Sequence, residues 1–95
     1  MRVTIDSIVV HDNEPTAASV DGRVVVLSLR AGSYFDFNTV ATEIWCMLAK
    51  PCRVGDIFHC LSQRHEVNSE TLARDVMPFL QTLVTHRLIR VIYPE

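Results

Sequence analysis

The chain has 95 residues, 48% of them hydrophobic and 21% charged, with 9 Lys+Arg against 11 Asp+Glu and a formal net charge of −2. That composition suits one folded domain, residues 1–95, with a modest core, and excludes a disordered segment. It also lacks the basic excess that a nucleic-acid binder gathers into a stripe.

Membrane and export segments are equally absent from the pattern. No apolar run approaches the ~20 residues needed to span a bilayer. The first residues, MRVTIDSIVVHDNE, include acids and no compact apolar stretch before a small-residue cleavage site, so no signal peptide is expected. Cys46, Cys52 and Cys60 are odd in number and fall within or between helical patterns, which fits reduced thiols in the cytoplasm.

In chain order, Thr4 to Val10 is β-rich and reads as an opening strand. His11-Asp12-Asn13-Glu14-Pro15 is a polar turn closed by proline. Thr16 to Val20 is a short strand, and Asp21-Gly22 is the dipeptide of a tight hairpin turn. Arg23 to Leu29 follows as a central strand whose Val24-Val25-Val26-Leu27 run is expected to be buried on both faces. Arg30-Ala31-Gly32 turns the chain, with Gly32 at the position that needs positive φ. Ser33 to Phe37 returns as a strand, with Tyr34 and Asp36 on one face and Phe35 and Phe37 on the core face.

The second half is helical. Asn38 or Thr39 caps a helix to about Lys50, with Val40, Ile44, Trp45 and Leu48 at helical spacing. Pro51 stops it. A second helix spans Val54 to Arg64 with Ile57, Phe58 and Leu61 on one stripe. Asn68 or Ser69 caps a third, whose stripe is Leu72, Val76, Phe79, Leu80 and Leu83, with a kink expected at Pro78. Leu88 to Ile92 is a short terminal strand or an extended tail.

Catalytic and metal patterns fail on spacing. There is no Cys-x-x-Cys pair, and the adjacent His59 and Cys60 diverge by about 100° on a helix. Cys46 and Cys60 lie in apolar helical patterns, a setting that does not suit a thiolate nucleophile. No phosphate loop, nucleophile elbow or evident carboxylate pair occurs. No cofactor and no enzymatic activity are expected.

Three segments, DGRVVVLSLRAGSYFDFN, TEIWCML and RDVMPFLQTLVTHRLIRV, resemble in order and spacing the PqqD-like family, the peptide-recognition elements of ribosomally made, modified peptides. The shared features are an Asp-Gly hairpin, a Gly-aromatic-aromatic strand ending in Asn, an Ile-Trp helix, and a third helix with Asp-Val and Phe-Leu pairs. With Ile5 to Val10 the resemblance covers nearly the whole chain. It implies an α+β, winged-helix-like fold, a three-stranded antiparallel sheet on three helices. It also implies capture of a precursor's leader peptide as an added strand, in the groove between the third strand and the third helix.

The free-standing form with this Gly-aromatic strand is similar to the lasso-peptide type. That type hands its precursor to a cysteine-protease-like leader peptidase, and a ring-closing enzyme acts in the same pathway. The form serving pyrroloquinoline quinone synthesis usually carries a Tyr-Pro-containing second strand, where this chain has Leu27-Ser28-Leu29-Arg30. Two departures stand out. Arg87 sits where the family commonly has glycine, so the third helix is expected to end differently, and Arg53 replaces a small hydroxyl cap.

On this reading the peptide-binding residues are Ser33, Tyr34, Phe35, Asp36 and Phe37 of the strand, with Leu72, Asp75, Val76 and Phe79 of the helix. Main-chain bonding comes either from Ser33, Phe35 and Phe37 or from Tyr34 and Asp36. Asp36, Glu70 and Asp75 are candidates to pair with basic leader residues. The rival readings are a winged-helix DNA-binding regulator, for which Arg74, Gln81, Thr85 and Arg87 make a thin recognition face, and a subunit that docks another protein without a peptide ligand.

Overall fold

A computed structural model of the chain describes residues 2–93. Its elements run β1 (Ile8–His11), β2 (Thr16–Val20), β3 (Arg23–Ser28), β4 (Ser33–Asp36), α1 (Thr39–Met47), β5 (Cys52–Arg53), α2 (Val54–His65), α3 (Ser69–Thr85) and β6 (Ile89–Tyr93). They form two antiparallel sheets, ordered β2-β3-β4 and β5-β1-β6.

The first sheet grows from two turns. Asp21 and Gly22 both take positive φ, 53° and 80°, as the two-residue turn between right-twisted strands requires. Gly32, at φ 67°, closes the β3–β4 connection. In β3 the buried residues alternate, Val24, Val26 and Ser28 facing inward. The expectation of burial on both faces therefore fails, since Leu27 is 47% exposed. The helices cover one face of this sheet and leave the other to solvent.

The second sheet explains why the opening strand starts late, at Ile8 rather than Thr4. The segment before it turns, with the Ser7 N–H donating to the Thr4 carbonyl at 3.1 Å. Its carbonyls then serve the start of α2: Val54 N–H donates to Ser7 O at 2.9 Å, and Gly55 N–H to Ile5 O at 3.0 Å. Those are the orphan donors that a hydroxyl cap would otherwise satisfy. Arg53 makes no side-chain cap bond, and its guanidinium instead meets Asp6 at 3.1 Å.

The other two helices are capped by side chains. Asn38 Oδ1 accepts from Ala41 N–H at 2.9 Å, and Asn68 Oδ1 from Thr71 N–H at 2.8 Å. Helix α1 stops at Met47, short of Lys50, because β1 takes its terminal carbonyls. His11 N–H donates to Leu48 O at 2.9 Å, and His11 Nε2–H to Trp45 O at 2.6 Å. The imidazole also stacks on the Trp45 ring at 3.8 Å between centroids.

Helix α3 continues unbroken past Pro78. At its end Arg87 adopts φ 59°, with its own N–H donating to Val84 O at 3.0 Å and that of Leu88 to Leu83 O at 2.9 Å. This is the left-handed closure for which glycine is favoured. The helix therefore ends in the glycine-type way, contrary to expectation, with arginine bearing the strain. Between the sheets and helices lies one core, centred on Val9, Val26, Phe37, Ile44, Trp45, Leu48, Ile57, Leu61, Leu80, Leu83 and Ile89.

Arg87→Gly removes the Cβ clash of a left-handed residue and adds glycine's chain entropy. It should raise unfolding free energy by about 0.5–1 kcal/mol in a urea titration with unchanged slope. Burial holds the His11 imidazole below its ordinary range, the Trp45 carbonyl offsetting part of that. Below the unfolded value of about 6.5 the unfolded chain thus binds more protons, and this group's contribution to stability falls as pH drops toward its folded pKa. A His11→Gln variant should lose that part of the pH dependence.

Candidate functional site

One hydrogen bond settles which way β4 presents its polar groups. In the β3–β4 register Val26 faces Phe35 and Val25 faces Asp36, and Phe37 N–H donates to Val24 O at 2.9 Å. Hydrogen-bonded pairs in an antiparallel ladder alternate, so Phe35 and Phe37 bond inward to β3. The N–H and C=O groups of Tyr34 and Asp36 consequently point outward. Among the described residues no strand pairs with that edge. Of the two sets read from the sequence, Tyr34 and Asp36 are the exposed one.

The wall facing this edge is α3. Phe37, 5% exposed, packs edge-on against Phe79 at 5.4 Å and tilted against Trp45 at 5.7 Å. Phe35 meets His86 at 5.4 Å. Strand and helix thus run antiparallel side by side, joined by these ring contacts. Beside the Phe37 end opens a cleft of about 370 Å³ lined by Asn38, Val40, Ala41, Ile44, Asp75, Val76 and Phe79.

The structure brings Asp75, Val76 and Phe79 together at this cleft, whereas none of Ser33 to Phe37 lines it and the β4 side reaches it only through Asn38. Leu72 is buried at 6% exposure and does not line it. Tyr34 is 71% exposed on the outer face. Asp36 is already engaged, its carboxylate 3.3 Å from the Arg23 guanidinium. Such a half-exposed pair contributes only about 0–1 kcal/mol, so it can be exchanged for another partner. Glu70 lies in the first turn of α3 and does not line the cleft.

Sequence reasoning missed the α1 side of the cleft. Val40 and Ile44 were legible as one helical stripe, but only their packing role was read. The available signal was Val40 itself, one turn before Ile44 and two residues after the Asn38 cap, where α1 leaves β4. Ile44 is buried while Val40 stays 36% exposed, so the stripe runs out of the core into the cleft.

The molecule is thus a small α+β domain with an open strand edge running beside an apolar cleft. The chain belongs to the PqqD family: the family model described as "Coenzyme PQQ synthesis protein D (PqqD)" matches residues 23–89. It is also similar to the solved structure "TbiB1 in Complex with the TbiA(beta) Leader Peptide", at 27% identity and a TM-score of 0.77, covering 90% of this chain and 98% of that one. No curated protein matches.

The register makes a direct prediction. In the free protein the Phe35 and Phe37 amides should exchange slowly with solvent deuterium and those of Tyr34 and Asp36 quickly. The opposite alternation would mean that the edge is turned the other way.

Proposed function

We propose that this protein captures the leader region of a ribosomally made precursor peptide by strand addition to β4, in lasso-peptide or related biosynthesis. The observation that carries the reading is the pairing of an unoccupied strand edge with an adjacent apolar cleft, on a chain similar to a protein solved with a leader peptide bound. Main-chain groups of Tyr34 and Asp36 supply bonds that any extended peptide can satisfy. Selection falls to side chains. An apolar leader residue seated among Val40, Ala41, Ile44, Val76 and Phe79 would gain roughly 1.5–3 kcal/mol by burial.

Ser33, Phe35 and Phe37 act as the frame that holds this edge in place. Leu72 supports the same wall from the core, and Asp75 offers a carboxylate at the rim. The captured precursor would pass to a cysteine-protease-like leader peptidase and then to a ring-closing enzyme in the same pathway. The protein itself performs no chemistry on this reading. In support, burial pushes the Cys52 thiol up, with the charges of Asp56 and Cys60 adding to it, the reverse of what a nucleophilic thiolate needs. Among the described residues no helix is long and apolar enough to cross a membrane, in keeping with action in the cytoplasm.

Val40→Asp separates binding from folding. The new carboxylate sits in the first turn of α1, where the helix dipole favours it, yet it places a charge in the apolar cleft. Leader affinity, measured by calorimetry with the leader of a precursor encoded beside the gene, should fall at least about tenfold, equivalent to ~1.4 kcal/mol. The urea midpoint should stay level. Unchanged affinity would remove the cleft from the binding site.

A further inference from the structure

The strand edge has a second end, opposite in charge to the first. Where β4 begins, a shallower hollow of about 270 Å³ is lined by Arg30, Ala31, Thr85, His86 and Arg87. Three of those five residues carry basic side chains, in a protein whose formal net charge is −2. Asp75 lines the opposite cleft. A β-strand rises about 3.3 Å per residue, so Ser33 and Asn38 lie roughly 17 Å apart. An α-helix rises 1.5 Å per residue, which puts Asp75 and Thr85, the last residue of α3, about 15 Å apart. The two hollows therefore lie beside the two ends of β4, with α3 running from one to the other.

The basic end is braced. Glu14 accepts from the N–H of Leu29 at 3.0 Å and from the Ser28 hydroxyl at 2.7 Å, which fixes the turn that carries Arg30. The Arg30 guanidinium has Asp12 at 3.9 Å, the limit of an ion pair, and also feels the charge of the Glu14 carboxylate. Among the described residues no carboxylate comes within 4.0 Å of His86 or Arg87. Arg87 is moreover held at φ 59°, a conformation that glycine adopts without strain. Strain retained at an exposed cationic position is the kind of outlier that points to use. His86 contacts Phe35 through its ring, so the hollow adjoins the strand edge itself.

We propose that this hollow is a carboxylate subsite. It would receive an acidic side chain of the captured peptide, about four residues from the side chain seated in the apolar cleft. The inference rests on the leader reading and adds to it a charge pattern and a direction. Side chains two or four positions apart on a strand share a face, and four steps of ~3.3 Å span most of the groove. Antiparallel addition, the more stable ladder, puts the acid on the C-terminal side of the apolar anchor. Arg30 and Arg87 supply planar, permanently charged donors suited to a carboxylate.

The probes are three capped peptides of about ten residues, long enough to cover the ~17 Å edge at 3.3 Å per residue. Each alternates Val and Thr, with one Leu followed four positions later by Glu, Gln or Lys. Fluorescence anisotropy with the intact protein should show the Glu peptide binding about tenfold tighter than the Gln peptide, with the Lys peptide weakest. In Arg30→Gln/Arg87→Gly the three affinities should converge on that of the Gln peptide for the unaltered protein. Arg87→Gly relieves strain and Arg30 is in an exposed turn, so the fold is retained. Equal binding of the Glu and Gln peptides would overturn the subsite and leave strand capture standing. No binding of any probe would overturn both. Weakened Gln-peptide binding by the double variant would overturn the subsite by showing that these arginines only shape the groove.

Discussion

The Phe37 N–H donating to the Val24 carbonyl is the bond on which the account of this surface rests. It ends the β3–β4 ladder, and it fixes the alternation by which every other residue of β4 bonds inward. At the same point the chain turns from strand to helix. The Thr42 hydroxyl accepts from Val24 N–H at 3.0 Å, so the start of α1 takes the place that the Phe37 carbonyl would hold in a continuing ladder. The Phe37 ring meanwhile enters the core between Trp45 and Phe79. One residue thereby locks strand, first helix and third helix together, and the open edge has a rigid backing.

A rigid edge matters because strand capture starts from a poor balance. Association loses translational freedom and orders the peptide, and main-chain bonds replace bonds to water with little net gain. A surface that is already in its bound geometry reduces that loss. Here the turns at Asp21-Gly22 and Gly32, the Glu14 bonds to the β3–β4 turn, and the Asn38 cap all hold β4 before any ligand arrives. The surplus then comes from side chains entering the groove, at an apolar end by α1 and a basic end by the close of α3.

Much of the fold was legible because its signals are local. Asp21-Gly22, Gly32, Asn38 and Asn68 each dictate a backbone geometry within four residues, and each took the role expected of it. The misreadings arose where distant backbone decides. The β5-β1-β6 sheet depends on β1 pairing with strands from the middle and the far end of the chain, which no local pattern encodes. The Val24–Leu27 run looked doubly buried because four apolar residues in succession cannot reveal that only one face has helices to cover it. Arg87 looked like a departure, yet the carbonyls of Leu83 and Val84 impose the left-handed closure whatever the side chain. In the site, β4 and the α3 stripe could be read, whereas the α1 wall required knowing where β4 hands over to the helix.

The most direct measurement is a titration of isotope-labelled protein with the leader half of any short precursor encoded beside its gene, followed by amide shifts and hydrogen exchange. The account predicts saturable shifts along Ser33–Phe37, the start of α1 and α3, with the Tyr34 and Asp36 amides gaining protection as they acquire partners. Saturable binding that leaves those two amides exchanging freely, or no binding to the folded protein at high peptide concentration, would contradict it.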